Sequence, residues 1–188
     1  RNFKKYTPFV NEVKELTAYL LSNIDIKTFP IGEGLPQALE QYGRYTREEI
    51  FTIFGRQTAE KRMQGSVSGV FNIEESNTEL LFVTLNKSDK DFSVSTMYDD
   101  YVVSERQFHW KSKNTDTHEG RGKRYVEQAI NKKKFLLFVR ADKTDGFNNT
   151  CPFYCFGLVD YISSRDDKPM SIDWHMHHPI LPQFIKAV

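Results

Sequence analysis

Two runs, ELLFVTL at residues 79–85 and KFLLFVR at 134–140, carry an apolar side chain at nearly every position. A strand with one wet face alternates apolar and polar residues, whereas a continuous run needs cover on both faces. The two runs therefore predict central strands of a sheet that is packed on both sides. From about residue 66 onward the period is that of strands. Segments around 67–73, 79–86, 97–103, 106–112, 134–141, 153–162 and 170–176 are rich in Val, Ile, Phe, Tyr and Thr, with Asn, Asp, Gly and Lys turns between them. One helix is expected among them, near 121–130.

The first third reads differently. Val10, Val13, Leu16, Thr17, Leu20, Leu21 and Ile24 follow the three-four spacing of an amphipathic helix. Pro30, Gly32, Gly34 and Pro36 break the chain, and a short helix through Ala38 and Leu39 is expected next. In YTREEIFTIFG, Thr46 and Glu49 form a capping box, Ile50, Phe51 and Phe54 an apolar stripe, and Gly55 a stop. Helices first and strands after predict an α+β fold with a strongly curved sheet or barrel. The expected division is a helical segment over 1–56 and a β domain over 57–188.

Composition narrows the function classes. The chain has 188 residues, a net charge of +1 and 14% aromatic residues, with fifteen Phe and nine Tyr. No run approaches membrane-spanning length, and no signal-peptide pattern is present. The first residue is Arg1, which reads as a piece of a longer protein. Charge is unevenly spread. Between Lys111 and Lys134 eight bases, namely Lys111, Lys113, Arg121, Lys123, Arg124, Lys132, Lys133 and Lys134, stand against Asp116, Glu119 and Glu127. Such a strip fits phosphate contacts or a solvated face.

No phosphate-binding loop, nucleophile elbow, HExxH or GxGxxG occurs, so neither catalysis nor a cofactor is signalled. Asp160, Asp166, Asp167 and Lys168 make a crude nuclease-like set, but SSRDDKP reads as a turn between strands. His175 and His177 share a strand face, with His178 on the other. With Cys151 and Cys155 they lack the spacing of a zinc knuckle, so no metal is assigned. The two cysteines read as buried thiols.

The stretch STMYDDYVVSERQFHWKSKNT, residues 95–115, concentrates aromatics, acids and bases. As two strands it puts Tyr98 and Asp100 on one face, and Phe108, Trp110 and Ser112 on one face of the next. An aromatic wall stacks a base, and a carboxylate accepts from an exocyclic amine such as that of cytosine. The same pattern describes Tyr98, Phe108 and Trp110 as core with two turn aspartates, and periodicity alone favours that reading.

The order YTREEIF, LLFVTLNKSDKDFSVSTMYDDY, FHWKSKNT, GKRYVE, FLLFVR, PFYCFGLVDYIS and KPMSIDWHMHHPI resembles the C-terminal domain of SauUSI-like type IV restriction enzymes. That domain, long catalogued without a function, follows a phospholipase-D-type nuclease and a superfamily 2 helicase in bacterial proteins. The resemblance covers roughly residues 40–182. It implies a mostly antiparallel SRA/PUA-like β-barrel in the bacterial cytoplasm that binds duplex DNA carrying 5-methylcytosine or 5-hydroxymethylcytosine. The module would be non-catalytic, with nuclease and helicase partners on the same polypeptide. It further implies a pocket of Tyr98, Asp99, Asp100, Tyr101, Phe108, Trp110 and Ser112. Lys87, Lys90, Lys111, Lys113, Asn114, Arg121, Lys123 and Arg124 would face the DNA backbone. The rival reading is a protein-interaction module that couples helicase to nuclease without touching DNA.

Overall fold

The structure is a computed structural model that describes residues 6–22, 26–32, 34–58, 60–61, 69–87 and 100–185. Helix α1 (Thr7–Ser22) comes first, and its apolar residues Val13 and Leu16 are exposed, as is Tyr6 just before it. Strands β1 (Phe29–Pro30) and β2 (Glu40–Gln41) then pair antiparallel. The short helix expected at Ala38 and Leu39 is absent. There Leu39 donates to the Pro36 carbonyl at 3.0 Å, a turn that feeds the chain into β2 while the Leu39 side chain is fully buried. Strand β3 (Arg44–Tyr45) leads into α2 (Arg47–Ile53).

Helix α2 starts and stops where its sequence directs. The Glu49 backbone donates to Thr46 Oγ1 at 3.2 Å, and Glu49 Oε2 accepts from the Thr46 backbone at 2.7 Å. Two N–H groups that the first turn leaves orphaned are thereby satisfied. After the helix, Gly55 takes φ +67°, a left-handed conformation that favours glycine.

The sheet uses β4 (Val70–Ile73), β5 (Thr78–Thr84), β6 (Tyr101–Ser104) and β7 (Gln107–Lys111). Two single-turn helices follow, α3 (Lys123–Val126) and α4 (Gln128–Asn131). Strands β8 (Lys134–Arg140), β9 (Phe153–Arg165) and β10 (Ser171–Met176) complete it, and α5 (Pro182–Ile185) closes the described chain. All seven expected strand regions contain a strand. The spatial order is β4-β5-β8-β9-β10-β7-β6, with β3 also paired to β9. β5 and β8 run parallel, from Thr78 beside Lys134 to Thr84 beside Arg140, while the other pairs are antiparallel.

Two cores sandwich the sheet, as the continuous apolar runs require. Leu80, Phe82, Leu136 and Phe138 face one core together with Leu39, Ile50 and Phe51. Leu81, Val83, Phe135 and Leu137 face the other, with Trp174, Tyr125, Trp110 and Phe108. The first core joins Leu35, Leu39 and α2 to the central strands. The second contains Val70 of β4 and Val102 of β6, from opposite ends of the strand order. The sheet therefore curls around a shared core. It is a mixed sheet not closed into a barrel, because among the described residues β4 and β6 do not pair. At the bulge in β9, Gly157 has φ +79°, and a Cβ there would collide with Gln41 Oε1. Among the described residues no helix is long and apolar enough to cross a membrane.

Two substitutions test this scheme by urea denaturation. Leu137→Ala empties a fully buried position between β5 and β9 and should cost about 2–5 kcal/mol. Thr46→Ala removes the cap and should cost about 1 kcal/mol, with the m-value unchanged in both.

Candidate nucleic-acid interface

The hairpin β6–β7 presents its two faces to different surroundings. Val102 lies beside Phe108, and Tyr101 beside His109. The Phe108 side is core. Phe108 is fully buried, and Trp110 is 4% exposed, with its ring edge-on to Tyr125 at 5.4 Å and 6.3 Å from Trp174. Both rings, expected as pocket walls, are enclosed by the second core in this structure. Strand parity correctly put them together, but the curl of the sheet turns their shared face inward. Ser112 is buried as well. Its hydroxyl accepts from the Met170 backbone at 3.0 Å and donates to the Lys113 carbonyl at 3.2 Å, so it ties the chain after β7 to the start of β10.

Tyr101 lies on the opposite face, 37% exposed, with its ring stacked on His109 at 4.7 Å. His109 Nδ1 is 2.7 Å from Asp173 Oδ1. Ser163 Oγ donates to the other Asp173 oxygen at 3.2 Å, and Arg165 approaches it at 3.5 Å. Tyr98, Asp99 and Lys90 lie outside the described residues.

Asp100, just before β6, is the buried acid of this region. Lys87 Nζ reaches its Oδ2 at 2.6 Å, and the Lys111 backbone N–H donates to its Oδ1 at 2.9 Å. The side chains of this pair are only 9% and 4% exposed. Burial raises the Asp100 carboxyl above the usual carboxylate range, opposed by Lys87, the Lys111 N–H and His109. The pair also spans the fold, since Lys87 follows the end of β5 whereas Asp100 and Lys111 belong to the β6–β7 hairpin.

The basic strip divides into anchors and outward charges. Arg124 Nε lies 2.8 and 2.9 Å from the two oxygens of Glu79, a carboxylate 1% exposed on β5, and its guanidinium lies over the Tyr125 ring. Lys133 approaches the same carboxylate at 3.7 Å. Arg124 thus clamps α3 to β5. Arg121 and Lys123 project outward at 64% and 61% side-chain exposure, with loose pairs to Asp116 at 3.7 Å and Glu127 at 3.4 Å. Lys111 and Lys113 are half-buried, and Asn114 is exposed. Beside α4 a groove of about 410 Å3 extends this basic edge, lined by Val126, Gln128, Lys132, Lys133, Asp160 and Tyr161.

A histidine that sequence reasoning passed over fastens the loop carrying Arg121. The His118 backbone N–H and Nδ1 both bond Asp167 Oδ1, at 2.8 and 2.9 Å, and Nε2 lies 2.7 Å from Ser164 Oγ. The His118 backbone bond, before its ring bond, holds the Asp167 carboxyl below the usual range. The partners are 46 and 49 positions away, so no local pattern announces them. The nuclease-like set is dispersed. Asp160 bonds His177 and Gln128, Asp166 bonds Ser171, and Asp167 bonds His118. Of the other histidines, His175 is exposed and His178 meets Phe29 edge-on at 5.0 Å. Cys155 is fully buried, with its thiol pushed up to about 12, and Cys151 is half-buried.

A second cationic cluster sits at the C-terminal ends of β5 and β8. Arg140 lies over the Phe153 ring at 4.3 Å, donates to Thr84 Oγ1 at 2.9 Å and to the Cys151 carbonyl at 3.1 Å. Arg47 lies over Phe82 at 4.7 Å, and burial together with Arg140 lowers its guanidinium to about 10. Nothing local in the sequence pairs these two arginines.

The motifs that run from β2 to α5 match a catalogued family, described as a domain of unknown function, over residues 39–187. The chain belongs to the DUF3427 family. The matched span takes in α2, the whole sheet and α5, while α1 lies before it. No curated protein matches the chain. For this DUF3427 domain, then, the geometry above must carry the functional argument.

The Lys87–Asp100 pair gives a test with a defined sign. A carboxyl raised above its unfolded value contributes stability that is fully present below the unfolded value and lost as pH rises through the folded one. Lys87→Met removes the group that opposes this rise, so its destabilisation should grow from pH 4 to pH 7, reaching about 3–5 kcal/mol. The double variant Lys87→Met with Asp100→Leu should recover most of that loss, as measured by denaturation at both pH values.

Proposed function

We propose that this domain is the non-catalytic target-recognition module of a modification-dependent restriction enzyme. It binds duplex DNA containing 5-methylcytosine or 5-hydroxymethylcytosine with the modified base turned out of the stack. Asp100 is the observation that carries the reading. Each Asp100 oxygen takes one donor and keeps further acceptor capacity, and a carboxylate accepts from the cytosine N4 amine; with the side chain 4% exposed, the contact requires this end of the hairpin to open when DNA binds. Asp99 is the named competitor for that role. Tyr98 supplies the stacking face, with Tyr101 as the neighbouring aromatic. Arg121, Lys123, Lys111, Lys113 and Asn114 meet phosphates, which position the duplex without reading it. The SRA/PUA-like kinship, the nuclease and helicase on the same polypeptide and a bacterial cytoplasmic setting belong to this same proposal.

A second reading has its own support in α1. The exposed Val13 and Leu16, with Tyr6 just before the helix, suit contact with another protein or domain, as expected of a module that couples helicase to nuclease.

Matched unmodified, methylated and hydroxymethylated duplexes decide between them in a gel-shift titration across salt concentrations. DNA reading predicts tighter binding to a modified duplex and an affinity that falls steeply with salt. Arg121→Ala and Lys123→Ala should weaken all duplexes alike, each lowering the salt slope by about 1. Asp100→Asn should reduce modified duplexes to the level of unmodified ones, and because it strips the buried Lys87 of its partner it should also lower the melting temperature, so binding is compared well below that temperature. Equal affinity for all three duplexes in the parent chain would remove modification reading, and no affinity at all would favour the coupling role.

A further inference from the structure

Phe147 is the most exposed large apolar side chain among the described residues, at 90%. It stands at the tip of the loop between β8 and β9, and that loop is locally fixed. Asp145 Oδ1 accepts from the backbones of Phe147 and Asn149 at 2.9 and 2.8 Å, and Oδ2 accepts from Asn149 Nδ2 at 3.0 Å. The Asp145 and Asn148 backbones add bonds of 2.9 and 3.0 Å, and Thr144 bridges Thr150 beneath them. Asn148 takes φ +64°, a left-handed turn that asparagine tolerates. The turn fixes the backbone that carries the ring, and the ring projects into solvent.

Its position matters as much as its exposure. Asp142, at the base of the loop, accepts from Asn86 Nδ2 at 3.1 Å, and Asn86 donates through its backbone to the Ala141 carbonyl at 2.8 Å. The next residue is Lys87, which holds Asp100. The loop and the buried acceptor thus rise from the same end of the β5–β8 pair, where Arg140 and Lys143 add positive charge. The residues around Phe147 are Gly146, Asn148 and Asn149, so the tip is one ring on a narrow polar hairpin. A protein-binding hot spot is ringed by contacts that exclude water. A lone ring on a thin support has instead the shape of a wedge for a base step.

We propose that Phe147 inserts between base pairs of duplex DNA and fills the stack beside the nucleotide presented to Asp100. Apolar wedges of this kind part base steps, and an aromatic ring replaces the stacking that the bases lose. The inference rests on the DNA-reading function proposed above.

The test uses the whole chain and methylated duplexes carrying 2-aminopurine next to the modified cytosine. Anisotropy gives affinity, and 2-aminopurine fluorescence reports unstacking. The parent chain should brighten the probe on binding. Phe147→Ala should abolish that rise and weaken binding roughly tenfold while leaving the salt slope and the melting temperature unchanged. Phe147→Trp should keep both signals. If Phe147→Ala binds and brightens like the parent, the wedge is wrong although the DNA-reading function stands. A parent chain with no affinity for any duplex overturns the function and the wedge together.

Discussion

The parallel ladder between β5 and β8 is the constraint on which the rest of the fold depends. Parallel neighbours cannot be joined by a tight turn, so the chain must leave the end of β5 and return to the start of β8 by a long crossover. That crossover contains β6, β7, α3 and α4, and with them most of the basic strip and the Asp100 region. Because both faces of β5 and β8 are buried, the returning segment has to cover one of them. It does so with Trp110, Phe108 and Tyr125, whose packing against Trp174 and Phe135 leaves little freedom in the placement of the hairpin. Fully burying side chains of this size contributes roughly 1.5–3 kcal/mol each, enough to decide where the crossover lies.

Within that frame the buried acid Glu79 sorts part of the basic strip. Glu79 sits on the central strand β5 at 1% exposure, and a charge so placed must be paired to be tolerated. It draws in Arg124 and Lys133, which pins α3 and the start of β8 to the sheet. The bases that remain outward, Arg121 and Lys123 among them, are those that Glu79 does not reach. The outer surface is shaped in the same way from the other side, where His118 fastens its loop to the β9–β10 hairpin. The cationic face is thus set by two internal attachments, and its charge count alone would not describe it.

The legible part of the structure is the part written in local periods. Continuous runs marked β5 and β8, alternation and turn residues marked the other strands, and Thr46 with Glu49 marked α2. The parts that escaped need three-dimensional closure to appear. Alternation puts Phe108, Trp110 and Ser112 on one face, but it does not say whether that face meets solvent or a second wall. Here the curl of the sheet supplies the wall. The turn through Pro36 and Leu39 resembles a helix start, yet pairing of β2 with β1 takes over. Asp100 was readable as a candidate from its neighbours, whereas its partner Lys87 belongs to another strand end. Phe147 gave no signal at all, because an apolar residue in a polar loop reads as a packing residue until its exposure is known.

With Trp110 in the core, the proposed recognition has a different energetic balance from one based on an aromatic sandwich. A C5 methyl in a fitted pocket is worth only about 1–3 kcal/mol, and a carboxylate that accepts from N4 does not touch C5. Asp100 therefore cannot itself distinguish methylcytosine from cytosine. In the proposed reading its contribution would be to populate the state in which the base has left the stack, the only state in which the pocket could feel the methyl group. If the acceptor is removed, the extruded state becomes too rare for the methyl contact to count. A ring that fills the vacated stack acts on the same equilibrium from the DNA side. The acceptor and the wedge would thus raise the preference for modified DNA without either one contacting the modification.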